Sequence, residues 1–233
     1  MEFEPNELER YIGSLPAESV WRPVRDHAGK LLRRGGGKFP DILPETLHGV
    51  ELTGRSIVDL GCNLGAYSLL AAQGGAARVL GVDIDPAVVA GCRLLALDYG
   101  LTNTEFRVAD FLKEDLKETF GLGMLIDFIG RSVVAKGKLH ACLKAVAQVS
   151  RSELLFTLRP EYNSQNDLGC DHDSLSAFYP PGFLRHGRVQ VLEYAAEILK
   201  QDWEISVDCP GRFREHNLKT RVRAFRKSNS DSK

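Results

Sequence analysis

Two glycines four residues apart and a nearby carboxylate carry the first chemical signal in this chain. Asp59-Leu60-Gly61-Cys62-Asn63-Leu64-Gly65 follows the apolar run Ser56-Ile57-Val58 and leads into an amphipathic stretch beginning Ala66-Tyr67-Ser68. Such an order predicts a strand, a tight turn and the start of a helix, where unpaired backbone N–H groups present partial positive charge to ligand oxygens. Glycine at 61 and 65 lets the backbone bend and approach a ligand closely. A second acid, Asp83, stands twenty-two residues beyond Gly61 and closes the next apolar run, Arg78-Val79-Leu80-Gly81-Val82. A carboxylate at the end of the second strand can accept both hydroxyls of a ribose. The expectation is a nucleotide-like cofactor site.

The glycine spacing discriminates between cofactors. The dinucleotide fingerprint G-x-G-x-x-G, laid on Gly61, requires glycine at 63 and 66, where this chain has Asn63 and Ala66. A side chain at the second position stands where a pyrophosphate would press on the backbone. A nucleoside that carries an amino acid and no phosphates makes no such demand. NAD is therefore disfavoured against S-adenosylmethionine.

The same loop resembles the D-x-G-x-G-x-G motif of the class I, Rossmann-like S-adenosylmethionine-dependent methyltransferases, with Asn63 in place of the middle glycine. Gly81-Val82-Asp83-Ile84-Asp85-Pro86 looks like the second motif of that family, and Val108-Ala109-Asp110-Phe111 like the third. The resemblance implies that Gly61, Cys62, Asn63 and Gly65 wrap the methionine end while Asp83 holds the ribose. It further implies Ile84 on the adenine face, Asp110 and Phe111 at the adenine amino group and edge, and Asp59 orienting the amino group of the cofactor. It covers residues 51–227 in order of elements and is motif-level to residue 111. Leu52-Thr53-Gly54-Arg55, with a Trp-containing N-terminus ahead of it, is also similar to carboxymethyltransferases of the tRNA wobble uridine. The tyrosine-histidine pair of those enzymes has no counterpart around Gly130-Arg131-Ser132-Val133-Val134.

Around these motifs the chain predicts one α/β domain. Its 233 residues suffice for a substantial core and a modest appendage. Residues 1–50, with Pro5, Pro16 and Pro23 breaking short apolar clusters, read as a small helical N-terminal cap; residues 51–227 read as the cofactor-binding domain and 228–233 as a disordered tail. Within the domain, strands and helices alternate as in a seven-stranded, mostly parallel, Rossmann-like sheet with an antiparallel last strand and helices on both faces. Asp85 as N-cap, Pro86 at the first helical position, the face Val88, Val89, Cys92, Leu95, Ala96 and the stop at Gly100 define one helix. Strands are expected at 105–108, 124–129, 153–158, 203–208 and 220–225, and helices at 139–149 and 188–200. Asp127 is expected inside the fourth strand, and residues 159–187 as a long substrate loop.

Thirty Lys and Arg against 31 Asp and Glu give a net charge of -1, so no global field draws the chain to nucleic acid. The five cysteines, at 62, 92, 142, 170 and 209, have no ligand-type spacing, and no metal or disulfide framework is expected. Charges throughout the first 30 residues leave no apolar leader, which points to the reducing cytoplasm and away from a membrane. Cys62, despite its place before a helix, is expected to pack as a small apolar residue.

Transfer of a methyl group from a sulfonium is an in-line displacement that needs alignment of the acceptor and exclusion of water, worth about 7–11 kcal/mol through orientation alone. No catalytic triad is therefore expected. His172, flanked by Asp171 and Asp173, and Arg131, just beyond the fourth strand, are the candidate catalytic residues, each set against a solvated loop or an ordinary strand-helix connection. The expected activity is methyl transfer to a small molecule. The alternatives are tRNA modification and a non-catalytic module that binds the cofactor.

Overall fold

The computed structural model describes residues 5–37, 43–207 and 219–228. It divides into two compact units, one running to Leu116 and one from Lys117. All but the first residue of the tail expected at 228–233, and the last expected residue of the 203–208 strand, lie outside the described residues.

In the first unit, helix α1 (Pro5–Ser14), hairpin strands β1 (Val24–Arg25) and β2 (Leu31–Arg33) and the short α2 (Leu43–Leu47) precede an alternating series. That series is β3 (Ser56–Leu60), α3 (Ala66–Gln73), β4 (Arg78–Asp83), α4 (Pro86–Asp98) and β5 (Thr104–Val108). β3 pairs in parallel with β4, and β4 with β5. Ile57, Val58, Val79, Leu80 and Val82 are fully buried, as strands covered on both faces must be. Helix α4 begins and ends as the sequence predicts: Asp85 accepts the backbone N–H of Ala87 at 2.9 Å and of Val88 at 3.4 Å, and the chain leaves at Gly100 with φ +64°. The N-terminal segment differs from expectation by the β1–β2 hairpin. Arg33, on β2, donates to the carbonyls of Ile12 at 2.9 Å, Gly13 at 3.1 Å and Leu15, closing the C-terminal end of α1. Leu8, Ile12, Leu15, Val20 and Val24 of this segment share one apolar cluster with Leu64, Val88, Cys92 and Phe106.

The second unit holds β6 (Phe120–Leu125), α5 (Arg131–Ala135), α6 (Leu139–Gln148) and β7 (Ser150–Leu158). It continues with β8 (Glu161–Asn163), α7 (His172–Ser176), β9 (Leu184–Arg185), β10 (Arg188–Gln190), α8 (Val191–Leu199), β11 (Trp203–Val207) and β12 (Thr220–Arg226). β6 and β7 are parallel, whereas β12 runs antiparallel to both β7 and β11. The seven long strands form the sheet order β11-β12-β7-β6-β3-β4-β5, the expected Rossmann-like arrangement with its antiparallel last strand.

Four expectations in this unit are corrected. The fourth strand of the sheet occupies 120–125 rather than 124–129, because Gly121 and Gly123 conceal its start. A Cβ on Gly123 would come 1.9 Å from Ser150 Oγ, so close packing against β7 requires the glycine. Asp127 consequently lies beyond the strand, in a left-handed conformation with φ +58°. The expected long loop is folded: β8, β10 and β9 make a second, three-stranded antiparallel sheet, and a π-helical turn spans Ser164–Leu168. The helix expected from 188 starts only at Val191, after β10.

Candidate functional site

The turn between β3 and α3 is held by main-chain bonds to β4. Gly61 N–H and Cys62 N–H both donate to the carbonyl of Val82, at 2.8 and 3.0 Å. Three residues of the turn, Gly61, Asn63 and Gly65, have φ of +70°, +48° and +72°. Asparagine is among the few non-glycine residues that enter this region readily, so Asn63 keeps the backbone path a middle glycine would take. Its N–H donates to Asp83 Oδ2 at 2.9 Å, and Asp85 N–H donates to Asp83 Oδ1 at 3.1 Å. Each oxygen of Asp83 thus receives one backbone donor, while a carboxylate offers about four acceptor positions. Asp83 is half-buried, and lone pairs remain for the hydroxyls of a ligand.

Asp59 is buried and accepts Ser68 Oγ–H at 2.7 Å, which ties the end of β3 to α3. Cys62 is buried as well; its hydrogen bond with Cys92, followed by burial, pushes its thiol well above the ordinary value. It packs as an apolar residue, as expected from sequence. Ile84 is 63% exposed and Val108, the register partner of Asp83, is 43% exposed. Asp110 opens a turn: its carboxylate accepts the N–H of Leu112 at 3.1 Å and pairs with Lys113 at 2.9 Å. Phe111 beside it is half-buried. All nine residues expected to contact the cofactor belong to the first unit, at or just beyond the carboxyl ends of β3, β4 and β5.

Sequence reasoning missed a set of N-terminal partners to this turn. Asn63 Nδ2 donates to the carbonyl of Ser19 at 2.8 Å, and Ser19 Oγ donates to Asp85 Oδ2 at 3.3 Å. Arg22 donates to the hydroxyl of Tyr67, in the first turn of α3, at 3.0 Å and lies 5.2 Å from its ring centre. Tyr11 donates to the carbonyl of Ala87 at 2.9 Å. These pairs are separated by 44 to 76 residues, so no local pattern signals them.

The second unit holds both catalytic candidates. His172 is the first residue of α7, its side chain 65% exposed and 3.9 Å from Asp173. Arg131, the first residue of α5, is exposed and interacts electrostatically with Tyr162 and Asp167. Asp167 also accepts Asn163 N–H at 2.8 Å and Arg159 at 2.9 Å; the backbone donor, then the guanidinium, hold its carboxyl below the usual range. Asp127 N–H donates to Thr157 Oγ1 at 2.7 Å, and its carboxylate pairs with Lys219 at 2.7 Å. Neither Thr157 nor Lys219 was singled out by sequence.

The residues present fit an adenosyl ligand. A partly accessible carboxylate with spare lone pairs closes β4, and two uncovered apolar side chains, Ile84 and Val108, stand at the same strand ends where a flat purine would cover them. The fold and turn together define an α/β protein whose candidate ligand site lies at the carboxyl edge of a parallel sheet, where such folds bind nucleosides.

Comparison with known proteins narrows this class. Residues 52–161 match the family described as "Methyltransferase domain". Ribosomal protein L11 methyltransferase of Aliivibrio fischeri (strain MJ11) is 29% identical over 169 residues, covering 66% of this chain and 54% of that protein. Its counterpart in Mannheimia succiniciproducens is 32% identical over 159 residues, covering 65% and 50%. The chain spans about half the length of the curated relatives it matches. Among solved structures, magnesium protoporphyrin IX methyltransferase (ChlM) from Synechocystis PCC 6803 with bound SAH superposes with TM-score 0.55 at 19% identity over 80% of each chain. The N-terminal domain of EvdMO1, in the presence of SAH and D-fucose, gives TM-score 0.61 at 17% identity over 97% of this chain and 98% of that one. Such identities speak for the fold alone. The family match over residues 52–161 and the sheet order liken this chain to the class I, Rossmann-like S-adenosylmethionine-dependent methyltransferases.

Proposed function

We propose that this protein transfers a methyl group from S-adenosylmethionine to a small-molecule acceptor. The carrying observation is Asp83: its carboxylate is fixed by the N–H groups of Asn63 and Asp85 beside a turn shaped by three left-handed residues. In this reading Asp83 accepts the ribose hydroxyls, and Ile84 and Val108 cover the faces of the purine. Gly61, Cys62, Asn63 and Gly65 wrap the methionine end, and Asp110 with Phe111 closes on the adenine edge. Asp59, itself held by Ser68, orients the turn toward the amino group of the cofactor.

When bound, S-adenosylmethionine supplies an electrophilic methyl carbon on a positively charged sulfur. The chain has to hold the acceptor in line with that carbon and keep water away, which needs no nucleophilic side chain. We assign acceptor recognition to the second unit, with Arg131 beside Tyr162 and Asp167. Residues 51–227 are the cofactor-binding domain in this proposal, and residues 1–50 its cap. A small acceptor is favoured over nucleic acid by the net charge of -1. A protein acceptor is the second reading, favoured by the sequence match to enzymes named for ribosomal protein L11. No described helix is long and apolar enough to cross a membrane.

The test is calorimetric titration with S-adenosylmethionine, S-adenosylhomocysteine and NADH, followed by transfer of a radiolabelled methyl group into a fractionated extract. Micromolar binding of both adenosyl ligands and label in the small-molecule fraction support the proposal. Label in protein moves the acceptor to the second reading, and label in tRNA revives the nucleic-acid alternative. Preference for NADH would overturn the cofactor itself.

A further inference from the structure

The N-terminal segment reaches the ribose carboxylate through a closed set of hydrogen bonds. The carbonyl of Ser19 accepts Asn63 Nδ2 at 2.8 Å; the N–H of Asn63 donates to Asp83 Oδ2 at 2.9 Å. On the other side Asp83 Oδ1 accepts the N–H of Asp85 at 3.1 Å, and Asp85 Oδ2 accepts Ser19 Oγ–H at 3.3 Å. Four residues from three separate stretches therefore form a ring, with Asp83 opposite Ser19.

Ser19 is itself well placed to be the fixed point. Its N–H donates to Pro16 O at 3.1 Å, and the N–H of the next residue, Val20, donates to Ala17 O at 3.3 Å, giving a short 3-10 turn. The carbonyl of Val20 accepts Gly36 N–H at 2.8 Å, and that of Trp21 accepts Gly37 N–H at 2.9 Å. Val20 is buried in the apolar cluster that also holds Leu64 and Val88, the residues immediately after Asn63 and within the first turn of α4.

The left-handed region is small and sparsely used by non-glycine residues, and a side-chain hydrogen bond to backbone is a means of holding an asparagine there. Asn63 is left-handed, and its side chain is held by Ser19. We infer that Asn63 and Ser19 are positioning residues for the ribose-binding carboxylate, making the 16–22 turn a working part of the cofactor site. Their role is to keep the Asn63 N–H on Asp83, and thereby the carboxylate in one rotamer before the ligand arrives; preorganisation of this kind strengthens binding without adding a contact. The inference rests on the proposed cofactor reading.

The test compares S-adenosylhomocysteine affinity of wild type, Asn63→Gly, Asn63→Asp, Ser19→Ala and Asp83→Ala at a temperature where each is fully folded. Glycine suits φ +48°, so Asn63→Gly permits the same backbone path while it removes the side-chain tether and adds backbone freedom, whereas Asn63→Asp keeps a side chain at the position. The expected results are a Kd raised about fivefold for Asn63→Gly, more for Asn63→Asp, whose carboxylate faces the Ser19 carbonyl and Asp83, and less than about twofold for Ser19→Ala. The melting temperature of the ligand-free protein separates positioning from simple support. A Kd for Asn63→Gly within twofold of wild type overturns the inference, whatever happens to the melting temperature. Absence of binding by wild type itself overturns the cofactor reading and this inference with it, whereas binding that is lost only in Asp83→Ala leaves the cofactor reading standing and rejects the tether.

Discussion

Phe106 fills the space over Gly81: a Cβ at position 81 would lie 2.5 Å from Phe106 Cδ1 and 3.1 Å from Cys62 Sγ. The same ring lies beneath the turn, where a Cβ on Gly65 would come 3.0 Å from Phe106 Cε1. One aromatic side chain on β5 thus sets the distance between β4 and the glycine turn. Gly81→Ala should cost about 1–3 kcal/mol through overpacking, read from denaturant unfolding. A variant as stable as wild type would show that the ring moves freely.

Asp83→Ala removes the acceptor for two backbone N–H groups and the proposed acceptor for the ribose. Charged hydrogen bonds are worth about 1.5–3 kcal/mol each, so binding of S-adenosylhomocysteine should weaken by about 100-fold or more. Circular dichroism should remain native. Retained affinity would remove Asp83 from the site.

The alkylation of cysteines should follow burial. Cys62 and Cys92 are buried, and burial pushes Cys142 up to about 11. Thiolate is the reactive form, so these three should resist iodoacetamide in the native state while half-buried Cys170 reacts. Peptide mapping distinguishes them, and rapid labelling of Cys142 would contradict its packing.

Tyr179 is buried and donates to the carbonyl of Val134 at 2.6 Å, joining the stretch after α7 to α5. Tyr179→Phe leaves that carbonyl without this donor, at a cost of about 1–3 kcal/mol in unfolding free energy. If α5 carries Arg131 to the acceptor, the variant should also raise the acceptor KM with little change in cofactor Kd.

His27 offers a pH dependence. Its ring bonds Asp98 at 2.8 Å, and that hydrogen bond, then the charge of Asp98, raises the pKa of His27 above 6.5. A raised folded-state value means that the stabilisation is fully present below the unfolded value and is lost as pH rises through the folded one. The melting-temperature difference between wild type and His27→Gln should therefore be larger at about pH 5.5 than at about pH 8.5. An equal difference at both would mean that only neutral contacts matter there.

The sequence by itself determined the features whose causes are local. The turn at 61–65, Asp83 at a strand end and the α4 start at Asp85-Pro86 are written in adjacent residues, because turn conformation, strand ends and caps depend on neighbours within about four positions. The mostly parallel sheet followed from the alternation of strands and helices. Only the tertiary structure decided the rest. β6 was hidden because Gly123 is selected by the nearness of Ser150 rather than by strand propensity. The stretch after β7 looked like loop because β8 finds its partner β10 some 27 positions on, through pairs such as Tyr162 with Val189. Asn63 with Ser19 and Asp127 with Lys219 join residues 44 and 92 positions apart. Such contacts are set by which surfaces the folded core brings together, and no window of sequence contains both partners.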